Sequence, residues 1–294
     1  MPGLNHADLR EQIVRIERLR DSRVLVLAAS HLDNELLPAL YDACDEFGHA
    51  PRLDVVLHGR GGVVNAARRI ALFLRARCER LAFIVPFHCE SAATLLALCG
   101  DEVLAGELAL FSPIDPQLGG ASGGSYSSLD IKGFGAMAQD WFGVEGGSAR
   151  AESLALLCNS IFPPSLTAFY RATQELAAIG EELLAFQLPD ADPATRQAIV
   201  QHLMSAYHSH NYAIAPDELA RLGLRVRPMR QEEALTQPAW HLSKLLQAGV
   251  GGGVRADAED EWTDTLLATR ATLRLRRRRP GGLAPVWHDG GRAS

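Results

Sequence analysis

The chain has 294 residues, 47% hydrophobic and 22% charged, a balance typical of a globular protein that can bury a core. Its net charge of −6 argues against a general nucleic-acid-binding protein, and no run approaches the roughly 18 apolar residues that a membrane span needs. Its five cysteines form no CxxC pair and no metal-ligand spacing, so we expect reduced thiols, a cytoplasmic location, and neither a metal nor a cofactor.

The first part of the chain alternates between predicted helices and apolar strands. An amphipathic helix is predicted from Asp8 to about Arg20, with no apolar segment typical of a secretory signal. Short apolar runs separated by helical patterns predict four strands, at residues 23–29, 52–59, 80–86 and 101–106. Fully apolar strands that alternate with helices predict an α/β fold with a mostly parallel sheet covered by helices on both faces.

The rest of the chain is predicted to be more helical. The glycine- and serine-rich segment 119–128 is predicted to be a flexible loop, and residues 133–147 show no clear period. Three helical regions follow, at 149–188 with a break at the paired prolines, at about 193–206, and just before Gly223, where a terminal strand begins.

Beyond Val250 we expect a mobile tail, which carries the basic cluster LRLRRRRP. The cluster has two interpretations, a solvated disordered end, which we favour, and a weak contact with an anionic membrane surface or nucleic acid. We expect no specific nucleic-acid partner.

Two turns between strands and helices carry the candidate chemistry. Gly59, Gly61 and Gly62 follow the second strand, and glycines there allow a tight turn and bring N–H groups close to a ligand. The pattern is not GxGxxG and lacks the end of a P-loop, so it does not support nucleotide binding. Ser91 opens the helix after the third strand, where it is either a helix N-cap or a nucleophile beside an oxyanion site.

Both turns are expected at the carboxyl ends of neighbouring parallel strands, where open α/β sheets bind their ligands. Gly62 and the Ser91–Ala92 turn would then face one cleft. Backbone N–H groups from the two turns would together stabilise an oxyanion, with Ser91 placed to attack. The second turn is what favours the nucleophile over the simple cap.

Several segments resemble the serine dehydrogenase proteinase family, of the Clp protease/crotonase fold. In chain order they are LHGRGGVVNAARRIA, FIVPFHCESAATLLALCGDEVLAG, FSPIDPQLGG and HSHNYAIAPDELARLGLRV, and the resemblance spans roughly residues 8–228. It implies a Clp/crotonase-like domain with an added helical segment over residues 21–230, after an N-terminal helix at 1–20 and before a largely flexible extension at 231–294. It also implies a serine peptidase that acts on peptides or proteins and assembles into homo-oligomers.

The resemblance implies roles for individual residues. Ser91 falls on the family's serine nucleophile, and Gly62 and Ala92 fall on the positions whose N–H groups form the oxyanion hole in Clp-type proteases. Asp115 lies where Clp protease subunits carry their catalytic histidine and where this family ordinarily has aspartate. Asn211 lies where both have an acidic residue, and His210 just before it matches the family's histidine.

Three positions depart from the family's pattern: Ala93 replaces a glycine, Arg60 replaces a proline beside the glycine turn, and Asn211 replaces an aspartate. An asparagine accepts a hydrogen bond but stabilises a charged histidine less than a carboxylate does. These departures support an alternative function, a catalytically inactive scaffold or binding protein with the same fold. Acyl-CoA chemistry of the crotonase type ranks last, since the chain has no adenine- or phosphate-binding signature.

Three residues are candidates for the general base. His210 is favoured, with Asn211 in the place of its acid, because imidazole titrates near neutral pH. Asp115 would act only if burial raised its pKa, and otherwise it is a structural anchor. Lys132 would need a desolvated site to activate a serine, and a lysine beside a glycine-rich loop is more often solvated.

Overall fold

The structure is a computed structural model that describes residues 5–119, 125–143, 147–250 and 260–290. Within these ranges a ten-stranded mixed sheet forms the centre, and a two-stranded hairpin lies apart from it. The strands are β1 (Arg23–Ala29), β2 (Ala50–Gly59), β3 (Cys78–Val85), β4 (His88–Cys89), β5 (Glu102–Ala105), β6 (Leu110–Phe111), β7 (Gln117–Gly119), β8 (Ser125–Ser127), β9 (Val226–Pro228), β10 (Trp262–Ala268), β11 (Leu273–Arg278) and β12 (Val286–Asp289).

The α-helices of the described ranges are α1 (His6–Arg20), α2 (Leu36–Asp45), α3 (Val64–Arg75), α4 (Ala92–Ala97), α5 (Ser128–Phe142), α6 (Gly147–Ser160), α7 (Pro163–Gln187), α8 (Pro193–Ser205), α9 (Pro216–Arg221) and α10 (Glu233–Gly249). None of these helices is both long enough and apolar enough to cross a membrane. The predicted break between two helices at the paired prolines is confirmed, because α7 begins at Pro163.

The middle of the main sheet consists of parallel strands in the order β1-β2-β3-β5-β9. Helices α1 and α10 cover one face, where Ile13 and Leu242 join Val26 and Val56 in a buried cluster. Helices α2, α3, α4, α7 and α8 contribute to the cluster on the other face. Because both faces are covered, β1 is apolar and buried along almost its whole length. The predicted α/β class, with a mostly parallel sheet between helices, is confirmed.

Three short backbone pairings place the loops that matter for function. Gly59 at the end of β2 pairs with Cys89 of β4, and Cys89 pairs with Phe111 of β6. Phe111 in turn forms an antiparallel bridge with Ile214. The turns after β2 and β4, the segment after β6 and the loop before Ile214 therefore lie side by side.

Residues 128–142 form the helix α5, although the sequence showed no clear period there. The helix begins with a capping box, since Ser127 Oγ accepts from the Leu129 N–H and Asp130 accepts from the Ser127 N–H. Most of α5 is exposed, and Trp141 and Phe142 near its end are 78% and 71% exposed. Without a buried stripe the helix has no apolar period to detect. Of the predicted loop, residues 120–124 lie outside the described residues, while Ser125–Ser127 is β8.

The C-terminal extension differs from the largely flexible segment predicted for it. Residues 233–249 form α10, and β10, β11 and β12 extend the sheet beyond β1 as antiparallel strands. In the basic cluster, Arg276 is fully buried and its guanidinium bonds Asp264 and Asp33. Arg278 bonds the same two carboxylates. These two arginines are therefore partners of acids within the fold, whereas the rest of the predicted tail, at 251–259 and 291–294, lies outside the described residues.

Candidate active site

Ser91 occupies a sharp turn between β4 and α4. Its φ of 52° and ψ of −119° match the first central residue of a type II′ turn, and a 2.9 Å bond from the Ala93 N–H to the Glu90 carbonyl closes the turn. A non-glycine residue in such a region costs about 1–3 kcal/mol and persists only where its surroundings hold it. The Ser91 side chain makes no capping hydrogen bond to α4. Ser91 therefore stands at the N-cap position of α4, but its hydroxyl does not act as the cap.

Buried hydroxyl groups hold this turn in place. The Ser91 N–H donates to Ser112 Oγ at 2.8 Å. Thr94 Oγ1 donates to the Cys89 carbonyl at 2.7 Å and accepts from the Ser112 N–H at 3.3 Å. Ser112 and Thr94 are 4% and 1% exposed. Satisfied polar groups in the interior favour one geometry, and here that geometry includes the strained serine.

The glycine turn after β2 packs directly against Ser91. Gly61 has a φ of 100°, and a Cβ at this position would lie 2.8 Å from the Ser91 Cβ. A Cβ on Gly59 would likewise lie 2.8 Å from the Ala93 Cβ. The methyl group of Ala93, a departure from the family pattern, is thus accommodated because Gly59 faces it. Close approach of the two turns requires glycine at both positions.

Two backbone N–H groups beside Ser91 have no acceptor among the residues that the structure describes. The backbone of Leu32 pairs with the residues on either side of Gly62. Its N–H donates to the Gly61 carbonyl and its carbonyl accepts from the Val63 N–H, each at 2.8 Å, so neither bond involves the Gly62 N–H. Within the described residues, nothing accepts a hydrogen bond from the N–H of Gly62 or from that of Ala92, the first residue of α4. These are the two donors that the sequence assigned to an oxyanion site.

His210 and Asp115 form the second part of the site. His210 Nδ1 lies 2.7 Å from Asp115 Oδ1, and Oδ2 accepts from Ser127 Oγ at 2.5 Å and from Gln117 Nε2 at 2.7 Å. Burial acts to raise the pKa of Asp115, but the hydrogen bonds from His210 and Ser127 outweigh it, so the pKa is lowered. A buried carboxylate assigns the Nδ1 proton to His210 and leaves Nε2 as the nitrogen that accepts a proton.

Asn211 is not the partner of His210, in contrast to the expectation from the sequence. It is exposed, its backbone N–H donates to Ser209 Oγ, and no hydrogen bond of its side chain is found in the described ranges. Asp115 takes the place beside His210 because the bridge between Phe111 and Ile214 brings their two segments together. The partners are 95 residues apart in sequence, and no local pattern pairs them.

Lys132 lies on α5, five residues after Ser127, which contacts Asp115. Its side chain is exposed, and it lines a cavity of about 300 Å³ with Leu129, Phe169 and Met204 among others. Among the residues that the structure describes, it makes no hydrogen bond or ion pair to Ser91. An exposed ammonium lacks the desolvation that would let a lysine activate a serine.

One short segment links the two parts of the site. Ser112 contacts the Ser91 N–H, and Asp115, three residues later, contacts His210. Three residues span at most about 11 Å, so both parts belong to the same region of the surface. No hydrogen bond joins Ser91 Oγ to His210 within the described part of the chain, and such bonds are often long before substrate binds.

Residues 33–132, about a third of the chain, match the family of ClpP-like SDH-type serine proteinases. The predicted family resemblance is confirmed. The segment that matches the ClpP-like SDH-type proteinases contains the glycine turn, Ser91, Asp115 and Lys132, and His210 lies beyond it.

Two relatives and two solved structures are similar to this chain. The relatives are uncharacterised proteins of Methanocaldococcus jannaschii, one 42% identical over 67 residues, 23% of each chain, and one 25% identical over 174 residues, 59% of this chain and 51% of the relative. The chain thus spans about a quarter and about half of these relatives. A mutant of the 1510-N membrane-bound stomatin-specific protease is 14% identical, with a TM-score of 0.39 over 66% of this chain and 72% of that chain. A protein of Acinetobacter baumannii described as an enoyl-CoA hydratase/isomerase is 17% identical, with a TM-score of 0.23 over 76% and 93%.

Proposed function

We propose that this protein is a serine peptidase in which Ser91 attacks a peptide carbonyl and forms an acyl-enzyme. One observation carries the proposal: Ser91 is held in a strained turn beside the N–H groups of Gly62 and Ala92, which lack acceptors among the described residues. Donors fixed in advance around a nucleophile stabilise the negative charge that develops on the carbonyl oxygen.

In this mechanism His210 is the general base. Its Nε2 takes the proton of Ser91 Oγ as the C–O bond forms, and Asp115 stabilises the resulting imidazolium. The imidazolium then gives its proton to the leaving amine as the C–N bond breaks. Water, deprotonated by the same nitrogen, attacks the acyl-enzyme, and Ser91 recovers its proton as the acid product departs.

The substrate in this proposal is a peptide or protein, as the family resemblance implies. A homo-oligomer and a cytoplasmic location stay predictions. For the homo-oligomer, the exposed aromatic rings of Trp141, Phe142, Phe162 and Tyr170 fit a surface that a second copy covers. Large exposed apolar side chains are a feature that surfaces for association share. For the location, four of the five thiols are buried, which fits cysteines that stay reduced.

A fluorophosphonate probe tests the nucleophile and its partners. We expect the wild-type protein to be labelled and Ser91→Ala to remain unlabelled. Asp115→Asn should slow labelling by orders of magnitude, since the same change in trypsin-like triads costs about 10⁴-fold. His210→Ala should have a similar effect. The matched change Asn211→Asp should have little effect, because that side chain does not contact His210.

Two results would contradict the proposal. A wild-type protein that is not labelled, or a Ser91→Ala variant labelled as fast as wild type, would favour the catalytically inactive scaffold. If Asp115→Asn is labelled as fast as wild type and Asn211→Asp is labelled faster, the residue that supports His210 is at position 211 and not Asp115. Circular dichroism of each variant shows whether a slow rate comes from lost folding.

A further inference from the structure

Arg60, His88 and Glu90 form a cluster that joins the two turns of the candidate site. Arg60 Nη2 lies 3.0 Å from His88 Nε2, and His88 Nδ1 lies 2.5 Å from Glu90 Oε1. Arg60 Nη1 is 3.8 Å from the same carboxylate oxygen. Arg60 belongs to the glycine turn, whereas His88 and Glu90 belong to the turn of Ser91. Neither the proposed mechanism nor the family resemblance gives these three side chains a role.

The chemistry of the cluster fixes the proton on His88. A guanidinium has five N–H donors and no acceptor, so His88 Nε2 must accept from Arg60. The ring proton of the neutral imidazole therefore lies on Nδ1, where it is donated to Glu90. Glu90 is an anion, since the hydrogen bond from His88 and the charge of Arg60 outweigh the effect of burial and lower its pKa. The three groups form one continuous chain of hydrogen bonds from turn to turn.

The surroundings of His88 make this chain well defined. His88 is 8% exposed, its ring lies 4.0 Å from that of Phe87, and the edge of His58 meets it at 5.2 Å and 88°. Burial, with a contribution from the charge of Arg60, lowers the pKa of His58 to about 4, so this neighbour is neutral. These two neighbouring rings restrict the orientation of His88, and a hydrogen bond in such a buried setting is stronger than in water.

We propose that Arg60, His88 and Glu90 are positioning residues that clamp the two turns and set the spacing between the N–H groups of Gly62 and Ala92. Arg60 precedes Gly62 by two residues and Glu90 precedes Ala92 by two residues, so each end of the clamp lies next to one donor. The proposal rests on the proposed function, in which both donors bind one oxygen. It also accounts for Arg60 at a position where the family resemblance has proline: proline limits a turn through its own φ, and arginine limits it through a side-chain bond.

The rate of labelling by the fluorophosphonate probe tests this role. Arg60→Met keeps a long apolar stem but removes the donor to His88, and we expect it to slow labelling of Ser91 by about 10- to 100-fold, since a displacement near 1 Å costs about 100-fold. Arg60→Lys keeps a donor and a charge and should recover much of the rate. Arg68→Met is the matched control, because the Arg68 side chain is equally exposed, at 36%, and its ion pair with Glu182 lies on the helices α3 and α7.

The control should label like wild type, and thermal unfolding should show equal midpoints for Arg60→Met and Arg68→Met. Labelling of Arg60→Met as fast as wild type would overturn the clamp while the proposed function stood. Slow labelling accompanied by an equally large loss of thermal stability, with no recovery in Arg60→Lys, would reduce Arg60 to a structural residue.

A second measurement does not depend on activity. In ¹⁵N-labelled protein we expect one imidazole, identified by its loss in His88→Gln, to carry its proton on Nδ1. In Arg60→Met the Nε2 resonance of this ring should shift because its donor is lost, while Nδ1 keeps its proton because Glu90 still accepts it. A proton on Nε2 of His88 in the wild type would overturn the clamp whether or not Ser91 reacts. If Nδ1 carries the proton but the wild type is not labelled, the proposed function fails and the positioning role falls with it.

Discussion

Asp115 illustrates, at the scale of the residue, how a role depends on neighbours that are distant in sequence. Asp115 is 3% exposed, and its carboxylate accepts three hydrogen bonds, from His210, Ser127 and Gln117. An isolated aspartate is a weak base, and the alternative of Asp115 as the base would have needed a raised pKa. The lowered pKa instead suits the acid of a triad, which must stay ionised while the imidazole gains its proton.

His58 provides a residue-scale prediction on stability. Burial lowers its pKa to about 4, well below the value of about 6.5 for an exposed histidine. The unfolded chain therefore binds a proton near pH 6.5 that the folded protein does not bind until about pH 4. Between these values the free energy of unfolding should decrease as the pH falls, by an amount on the order of 3 kcal/mol from this group.

Urea denaturation of wild type and His58→Gln at pH 7 and pH 4.5 measures this effect. Carboxylates with lowered pKa also lose stability in acid, but they are common to both proteins and cancel in the comparison. The wild type should lose more of its unfolding free energy than the variant. Equal losses in the two proteins would show that His58 is protonated in the folded state well above pH 4.

At the scale of the element, the turn after β2 and the turn at Ser91 fix each other's position because their backbones are in contact. Neither turn has room for a longer side chain where they touch, since a Cβ on Gly61 would lie 2.8 Å from Ser91 and one on Gly59 would lie 2.8 Å from Ala93. The turn around Gly62 is equally tight toward β1, because the segment after β1 pairs with it at Leu32. Three segments thus determine where the donors lie.

Gly62→Ala should therefore destabilise the fold as well as slow labelling. Its Cβ would lie 2.3 Å from both the N and the O of Leu32, and its φ of 143° is unfavourable for alanine. We expect the free energy of unfolding, measured by urea denaturation, to fall by at least the roughly 1–3 kcal/mol that backbone strain alone costs. Gly133→Ala in α5, where nothing lies within 4 Å of the added Cβ, is the control and should be neutral or stabilising by about 1 kcal/mol. A Gly62→Ala protein as stable as wild type would contradict this geometry.

At the scale of the whole molecule, the C-terminal strands extend the sheet and cover one edge of its parallel part. Strand β10 pairs with β1 from Val26 to Ala29, so it covers an edge of the parallel sheet that would otherwise be open. Arg276 on β11 connects this addition to the loop after β1 through Asp33. We therefore expect the cluster LRLRRRRP, which forms β11, to stabilise this addition, and removing it would expose the edge of β10.

Arg276→Met should destabilise the protein by about 3–5 kcal/mol, because it leaves the buried carboxylate of Asp264 without its main partner. Arg277→Met is the control on the same strand: Arg277 is exposed, and we expect a change within about 0.5 kcal/mol. Chemical denaturation of the two variants beside wild type measures both effects. Equal stabilities of all three would mean that β11 is not packed on the sheet.

The sequence by itself determined the parallel part of the sheet, the two turns at its carboxyl edge, and Ser91 between a strand and a helix. These features depend on local signals, since apolar runs, helical periods and glycines determine the structure of the few residues around them. Only the tertiary structure decided that Asp115 is the partner of His210, that Arg60 reaches His88, and that Arg276 is buried against Asp33. Those pairs are 95, 28 and 243 residues apart, and a charged residue carries no mark of its partner until folding brings the two together. The same reason made β11 resemble a solvated tail, because arginines that are neutralised by buried acids look in sequence like arginines that face water.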